Sequence, residues 1–318
     1  NLLLPKRLDM KILGIGNAIV DVICKVDDSF IKKNNLTKST MKLFFDENEF
    51  KGLLTNLKIE KTVSGGSIAN SIVGLSQLGN KVGFIGKVSD DEFGSKYEDG
   101  LKKENVEYFY TKKKEELPTG TCLILVTPDS ERTMCTFLGT AGKINDNDID
   151  SNAVQQSEIT FLEGYLWDEG DPKKAFDKAI EYSNKVAMSL SDLFCVERHK
   201  KNFLELVKNK LDLIFANEQE ILSLFETKSF DDVVYFLKNL NKNVVITRGA
   251  KGAIAINNDR VFECSAQKDL KIRDLTGAGD LFAAGYLHGI VNDLDIMESL
   301  NQGTIMSSKV IQQIGARL

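Results

Sequence analysis

The sequence lacks the patterns of a membrane protein, a secreted protein and a zinc protein. No apolar run approaches the ~18 residues that a membrane-spanning helix needs, and residues 1–9 lack the long apolar centre of a signal peptide. The five cysteines show no Cys-x-x-Cys spacing and mostly lie in apolar runs, so we expect reduced core thiols rather than disulfides or metal ligands. These absences favour a cytoplasmic protein that binds no membrane.

An excess of basic charge is also missing. The 41 Lys and Arg are outnumbered by 46 Asp and Glu, which gives a formal net charge of −5. The short basic run at 112–114 has acidic neighbours, so nucleic acid is not an expected partner. Because the chain has no internal repeat and no Pro-rich linker, a single domain over residues 10–318 is predicted.

Two nucleotide-binding patterns do not occur. The chain contains no Walker A loop, GxxxxGK[ST], and no GxGxxG follows the first predicted strand, residues 11–16. P-loop chemistry and nicotinamide-dependent dehydrogenation therefore lose their best support, although a dehydrogenase would fit the alternating pattern of the chain.

What the sequence has is a repeated alternation of apolar runs and helical patterns. Strand, helix, strand, helix order predicts parallel pairing, and near-continuous apolar strands fit a sheet covered on both faces. The predicted fold class is α/β, with a doubly wound, mostly parallel central sheet and helices on both faces. The predicted strands are 11–16, 81–88, 159–165, 185–190, 211–216 and 243–249, and the helices are 67–78, 91–104, 172–184, 198–210 and one from 217.

Other apolar stretches do not fit this alternation. Within 119–138, two strand-like runs are separated by PDSE, which is turn chemistry, so a hairpin is predicted. Together the stretches predict a small second sheet beside the main one. Its strands are expected from about 18–26, 38–47, 106–112 and 119–138.

The segment DLTGAGD, residues 274–280, precedes a helical pattern that starts at Leu281, so it falls at a helix N-terminus. The first N–H groups of a helix lack intrahelical partners, and glycine lets a ligand approach the backbone closely. An anion site there suits phosphoryl transfer, and Asp280 could accept the proton of an attacking hydroxyl. The amides expected to hold the anion are those of Gly277, Ala278 and Gly279. A glycine-rich turn with an ordinary first-turn acid is the alternative.

Two longer segments, DLTGAGDLFAAGYL (274–287) and GGSIANSIVGLSQLG (65–79), resemble the two signatures of the ribokinase, or PfkB, family of carbohydrate and nucleoside kinases. GNAIVDV (16–22), NEQE (217–220) and TRGAKGA (247–253) match further family blocks in order, so the resemblance covers essentially the whole chain. It implies an ATP-dependent phosphotransferase that uses Mg²⁺. It also implies a ribokinase-like α/β fold in which the small sheet forms a lid over the sugar site.

The resemblance assigns roles to individual positions. Asp280 becomes the catalytic base, and the residues implied for the acceptor are Asn17, Asp21, Gly65, Gly66 and Asn70. Arg132, in the predicted lid hairpin, is expected to fold over the phosphates on closure. Judged alone, these positions have ordinary alternatives: a solvated Asp, a Gly-Gly turn, a polar helix surface and an exposed Arg.

On the nucleotide side the implied residues are Asn217, Thr247, Arg248, Gly249, Gly252 and Thr276, with Gly303 and Thr304 near adenine. Glu220 is expected near Mg²⁺ through water, because this hard cation keeps much of its hydration. A capping box formed with Asn217 is the alternative. A K⁺ site near Asp274 and Gly315 is an expectation of the family only.

Only the resemblance to known families narrows the choice of acceptor substrate. GNAIVDV, LEGYLWD (162–168) and LSDLFCVERH (190–199) look more like the adenosine kinase-like branch, with ribose, fructose and 2-keto-3-deoxygluconate as alternatives. A nucleoside needs a flat apolar slot, and the expected lining is Phe137, Leu138, Tyr165 and Trp167, whose alternative is core packing. A silent sugar or nucleotide sensor is a remote alternative. The sequence leaves open a monomer and a homodimer formed through the lid.

Overall fold

The computed structural model describes residues 8–318, which form fourteen strands and eleven α-helices. The strands are β1 (Met10–Ile15), β2 (Ile19–Lys25), β3 (Met41–Leu43), β4 (Ile59–Gly65), β5 (Val82–Ile85), β6 (Val106–Tyr108), β7 (Gly120–Val126), β8 (Arg132–Phe137), β9 (Ser157–Glu163), β10 (Val186–Ser189), β11 (Leu213–Asn217), β12 (Asn243–Thr247), β13 (Ala253–Asn257) and β14 (Arg260–Cys264). The helices are α1 (Asp28–Lys33), α2 (Glu47–Leu54), α3 (Ser67–Gln77), α4 (Glu92–Lys103), α5 (Ser151–Gln155), α6 (Asp171–Tyr182), α7 (Leu193–Asn209), α8 (Glu218–Leu224), α9 (Phe230–Lys238), α10 (Ala278–Val291) and α11 (Ile296–Val310).

The larger sheet has nine strands in the order β14-β13-β12-β11-β10-β9-β1-β5-β6. All neighbours from β12 to β6 are parallel, and only β13 and β14 are antiparallel additions. Successive residues Ile12 and Leu13 of β1 point to opposite faces, and each is fully buried in a different apolar cluster. Burial on both faces explains the near-continuous apolar runs, and it confirms the predicted doubly wound α/β class.

The smaller sheet has five strands in the order β3-β8-β7-β2-β4. The predicted hairpin is β7 and β8, which pair antiparallel from Thr121 with Phe137 to Val126 with Arg132. The assignment of 106–112 to this sheet was wrong. Val106–Tyr108 instead follows α4 and pairs in parallel with β5, as the strand after a crossover helix does. Its place in the small sheet is taken by β4, which was not predicted.

Two further expectations concern the chain as a whole. All five cysteines are buried free thiols, as predicted. Among residues 8–318, no helix is long and apolar enough to cross a membrane. The prediction that residues 1–9 are no signal peptide falls mostly on residues outside those described.

The parallel strands bring their carboxyl ends to one edge of the large sheet. Asn17 follows β1, while Glu163, Asn217 and Thr247 end β9, β11 and β12. β2 begins directly after this edge, at Ile19, so the small sheet stands over it. Ligands of doubly wound sheets bind at this edge, and the predicted site residues gather here.

Candidate active site

The N-terminus of α10 opens at this edge through Gly277. This N-cap residue has φ +82°, in the left-handed region that favours glycine, and an added Cβ would lie 2.7 Å from that of Ala316. By contrast, an added Cβ on Gly279 would meet nothing within 4 Å. Gly277 is therefore required by the turn, whereas Gly279 faces open space.

The free amides of this turn are not the predicted three. The N–H of Ala278 donates to the Leu275 carbonyl at 3.2 Å. In the described part of the chain, the N–H groups of Gly277, Gly279 and Asp280 have no protein acceptor. The backbone N–H groups available to an anion are therefore those of the two predicted glycines and of Asp280, which takes the place of the predicted Ala278.

Asp280 is held by the polar side of α3. The Ser67 hydroxyl donates to Oδ1 at 2.5 Å, and the Asn70 amide donates to Oδ2 at 3.0 Å. The Ser71 hydroxyl donates to the Asp280 backbone carbonyl at 2.7 Å. Burial raises the pKa of Asp280, and the Ser67 and Asn70 hydrogen bonds and the Arg317 charge oppose that rise. Sequence reasoning found Asn70 but missed the two serines, although their i, i+3, i+4 spacing puts all three on one helix face.

Asp21 lies on the open face of the small sheet. In the described residues its carboxylate makes no hydrogen bond within the protein. A Cβ on Gly65 would lie 2.4 Å from Oδ2 of Asp21, so only glycine fits beneath this carboxylate. Burial raises the pKa of Asp21 to about 7, while the positive charges of Arg317 and Arg132 lower it. The group can therefore accept hydrogen bonds from a ligand.

A second buried carboxyl, Glu163, lies under Asn17 and was not predicted. It is 1% exposed and accepts the N–H of Ile68 at 3.2 Å. Burial raises the pKa of Glu163 to about 8, and hydrogen bonds from Ile68 and Asn17 oppose that rise. Oδ1 of Asn17 is buried without a partner in the described chain. The only sequence signal for Glu163 was an acid that ends an apolar strand.

A cavity of about 360 Å³ extends from Asp280 along the edge of the sheet. It collects several predicted residues from separate elements. Those that line it are Tyr165, Asn217, Glu220, Thr247, Gly277, Ala278, Gly279 and Asp280. The cavity therefore joins the expected anion site to the expected nucleotide side, with Asp280 at the junction.

Asn217 and Glu220 form the capping box that was the alternative to a metal role. The Asn217 side chain accepts the Glu220 N–H at 2.8 Å, and Oε1 of Glu220 accepts the Asn217 N–H at 3.0 Å. Burial raises the pKa of Glu220 to about 7. Among residues 8–318 no cluster of three His, Cys, Asp or Glu could enclose a metal. A carboxylate beside the cavity, with Oε2 left over from the cap, fits Mg²⁺ held through water.

Other predicted nucleotide residues do not line this cavity. Arg248 pairs with Glu218 at 3.3 Å and lies over the Phe230 ring at 4.0 Å, on a separate pocket. Gly252 has φ +93° and an added Cβ would meet the Cys264 carbonyl at 2.0 Å, so the hairpin requires it. Gly249 lies in the same turn, as the first residue of a short 3-10 helix.

The predicted adenine contacts lie on α11. Gly303 packs against Phe282 of α10, and the Thr304 hydroxyl lies 3.5 Å from the Cys264 sulfur. The prediction that Trp167 lines a slot for the nucleobase was wrong. Trp167 is 3% exposed and packs edge-on against His199 in the core. Phe137 stacks on Phe50, also in the core.

Asp274 links the small sheet to the loop before α10. Its Oδ1 accepts the N–H and hydroxyl of Thr276, its Oδ2 accepts the Gly315 N–H at 2.9 Å, and Arg132 lies 3.4 Å from Oδ2. Asp274 and Gly315 are thus in contact, as the K⁺ expectation requires. However, a guanidinium already occupies the carboxylate. As arranged, the pair does not fit a monovalent cation.

Comparison with known proteins gives consistent matches over most of the chain. The family model described as pfkB family carbohydrate kinase matches residues 15–318. The solved adenosine kinase from Sinorhizobium meliloti is 35% identical, with a TM-score of 0.87 and coverage of 97% of this chain and 96% of that one. Adenosine kinase 2 of Arabidopsis thaliana is 25% identical, in an alignment that covers 96% of this chain and 94% of the relative. A 5-dehydro-2-deoxygluconokinase of Clostridium botulinum (strain Eklund 17B / Type B) is 29% identical, in an alignment that covers 81% of each protein.

Proposed function

This chain belongs to the pfkB family of carbohydrate kinases, and we propose that the acceptor it phosphorylates is adenosine. It is a kinase of the sugar and nucleoside type, since the family match spans nearly the whole chain and the relatives are kinases of both kinds. The group that receives the phosphate is proposed to be the hydroxymethyl group of the acceptor.

The observation that supports a nucleoside as the acceptor is the order of side chains on the open face of the small sheet. One cross-strand row there contains Asp21, Cys122 and Thr136. The next row on the same face contains Ile23, Ile124 and Met134, of which Met134 is 37% exposed. A ribose whose hydroxyls donate to Asp21 leaves its base against the apolar row. A simple sugar has no part that needs this row.

Asp280 is the proposed base for the transfer. The acceptor hydroxyl gives its proton to a carboxylate oxygen of Asp280 as the hydroxyl oxygen bonds to the γ-phosphorus of ATP. The bond from that phosphorus to the bridging oxygen breaks, and ADP leaves with the electron pair. The free N–H groups of Gly277, Gly279 and Asp280 support the negative charge on the phosphoryl oxygens.

Glu220 is proposed to hold Mg²⁺ through water on the nucleotide side of the cavity. When bound, the ion would supply positive charge that stabilises the transferring phosphate. The chain itself provides a carboxylate whose Oε1 already caps α8, so the orientation of the side chain is fixed before any ligand arrives. Thr247, on the same cavity, is proposed to contact the nucleotide.

A sugar acid is the second candidate acceptor. The guanidinium groups of Arg132 and Arg317 both act on Asp21, so positive charge flanks the acceptor side and would match a carboxylate. The similarity to a 5-dehydro-2-deoxygluconokinase supports this candidate, whereas the similarity to two adenosine kinases supports the first.

The deciding experiment is a coupled assay of ADP release over adenosine, inosine, ribose, fructose, 2-keto-3-deoxygluconate and 5-dehydro-2-deoxygluconate. We expect the highest kcat/KM with adenosine. A higher value with either acid would transfer the assignment to the sugar acid, and no ADP with any acceptor would favour a silent binder.

A matched pair of variants then tests the apolar row. Ile23→Ser should raise the KM for adenosine roughly 10-fold, because about 1–2 kcal/mol of apolar contact is lost, and leave the KM for ATP unchanged. Ile59→Ser is the control, since Ile59 lies at the start of β4, is 43% exposed and pairs with Cys24 rather than with the row. Equal KM values for adenosine in the two variants would remove the row from the acceptor site.

A further inference from the structure

The segment that follows α11 reaches the site at three consecutive residues. The Gly315 N–H donates to Asp274, and Ala316 packs on Gly277, the N-cap of α10. The Arg317 side chain then enters between α3 and β4. Its Nε donates to Oδ1 of Asn70 at 2.7 Å, and its Nη2 donates to the Ser64 carbonyl. No family block identified in the sequence contains this arginine.

The contact with Asn70 determines which way that amide points. An Asn side chain has one acceptor oxygen and one donor nitrogen, so a donor on the oxygen leaves the nitrogen to face the other partner. With Arg317 on Oδ1, Nδ2 of Asn70 donates to Oδ2 of Asp280 at 3.0 Å. The reversed amide would set its oxygen against the carboxylate and its N–H against the guanidinium, which repel on both sides.

We propose that Arg317 is a positioning residue for phosphoryl transfer, which orients Asn70 against Asp280 and joins both to the end of β4. The proposal rests on Asp280 as the base. Arg317 acts through Asn70 and through its charge, and no contact with the acceptor is needed.

Charge gives Arg317 a second effect on the same carboxylates. Its guanidinium lowers the pKa of both Asp280 and Asp21, against the rise that burial causes. The other ionisable groups that act here are Arg132 on Asp21, Glu163 beside Asp280, and Tyr97 and Glu104 beside Arg317. Because Arg317 is a positive group that acts on both acids, its loss should make each harder to ionise.

The test compares Arg317→Ala and Arg317→Lys with Arg260→Ala, a control on the exposed edge strand β14. We measure kcat, both KM values and the pH profile of kcat/KM, using the acceptor found active in the screen. In Arg317→Ala, kcat should fall roughly 10- to 100-fold, as expected for a lost charged hydrogen bond. The KM for ATP should not change, and added methylguanidinium should restore part of kcat. Arg260→Ala should match the wild type.

The pH profile separates positioning from mere anchoring of the segment. In Arg317→Ala the ascending limb, where the carboxylates ionise, should move to higher pH. Arg317→Lys keeps the charge, so its limb should stay while kcat falls, because an ammonium cannot reproduce the planar fork. If kcat in Arg317→Ala is unchanged, or falls equally at every pH without rescue, the proposal is overturned.

Coupling to Asn70 is tested by a double-mutant cycle. If Arg317 acts through Asn70, the losses in kcat from Arg317→Ala and Asn70→Ala should be clearly less than additive. Additive losses would contradict the proposal. Should Arg317→Ala fail to fold in a thermal melt, Arg317→Lys carries the cycle with the same criterion. Asp280→Asn distinguishes failure of the base assignment from failure of the Arg317 proposal. If Asp280→Asn turns over normally, the assignment of Asp280 as the base is wrong. If Asp280→Asn loses activity but Arg317→Ala keeps the wild-type kcat, only the proposal for Arg317 is wrong.

Discussion

The nucleotide side and the acceptor side of the site satisfy their polar groups in different ways. On the nucleotide side, Asn217 and Glu220 bond each other within one helical turn. On the acceptor side, Asp21 makes no hydrogen bond within the described protein, and Oδ1 of Asn17 is buried without a partner. On the nucleotide side the two residues fix each other and leave Oε2 of Glu220 free, whereas the acceptor side leaves two side chains whose acceptors a ligand can satisfy.

The difference bears on where specificity resides. A buried acceptor without a donor costs about 1–3 kcal/mol, and a substrate hydroxyl in the right place recovers that cost. A ligand that lacks the hydroxyl leaves the cost in place, so open acceptors reject analogues more strongly than apolar contacts do. We therefore expect acceptor discrimination to depend on Asp21 more than on the apolar row beside it.

The largest effect is expected from removing the carboxylate of Asp280, which lies between the nucleotide side and the acceptor side. Asp280→Asn keeps the size of the side chain and the bond from Ser67 but cannot take a proton. We expect kcat to fall by ~10² or more, while the KM for ATP changes little. Steady-state kinetics at saturating substrates measure this, with the exposed Asp171→Asn on α6 as control. Near-normal turnover in Asp280→Asn would remove it as the base.

The next prediction separates the two sides directly. Asp21→Ala should raise the KM for the acceptor roughly 10- to 100-fold, because charged hydrogen bonds to substrate hydroxyls are lost. The KM for ATP should stay within about twofold, since the nucleotide side is built without Asp21. Initial rates with each substrate varied in turn give both constants. Equal increases in the two KM values would show that the sides are not independent.

The last prediction concerns the pH dependence of stability and involves the acceptor side alone. Glu163 has its ordinary pKa of 4.5 raised to about 8 by burial, so the folded protein holds this proton more tightly than the unfolded chain. The contribution of Glu163 to the free energy of unfolding is therefore fully present below about pH 4.5 and is lost as the pH rises towards 8. The free energy of unfolding should fall by less than about 1.4 kcal/mol for each pH unit in this range. Glu163→Gln cannot ionise and should remove that slope.

Urea unfolding at pH 5, 6, 7 and 8 measures the difference between Glu163→Gln and the wild type. The gap should widen in favour of the variant as pH rises. Glu158→Gln, at a half-exposed position of the same strand, provides the control. A constant gap between Glu163→Gln and the wild type would mean that Glu163 is already ionised across this range.

The parts predicted from sequence are those whose partners are near in the chain. The turn and first residues of α10 and the Asn217–Glu220 cap involve neighbours three or four positions apart, so spacing alone indicates them. The large sheet was predicted for a similar reason, because each apolar strand and the helix after it are continuous segments. Strand β6 was misplaced because three residues carry too little pattern to choose between two sheets.

The parts that were missed depend on partners far away in the sequence. Ser67 and Asp280 are 213 positions apart, Ile68 and Glu163 are 95 apart, and Arg317 and Asn70 are 247 apart. No local propensity predicts such a pair. Ser67 looked like an ordinary first residue of a helix, and Glu163 like a polar position within the predicted strand 159–165. Their roles become visible only when folding brings the segments together.

Gly66 joins the small sheet to helix α3 in a way that constrains any motion between them. It is the only residue between β4, in the small sheet, and α3, which carries the side chains that hold Asp280. Its φ of +104° and an added Cβ only 2.4 Å from the Asn17 carbonyl leave no room for a larger residue. Because β4 and α3 are regular elements that bend little, a rotation of the small sheet would have to be absorbed by the backbone dihedral angles of Gly66. Closing over a substrate and aligning the base would then be one mechanical event.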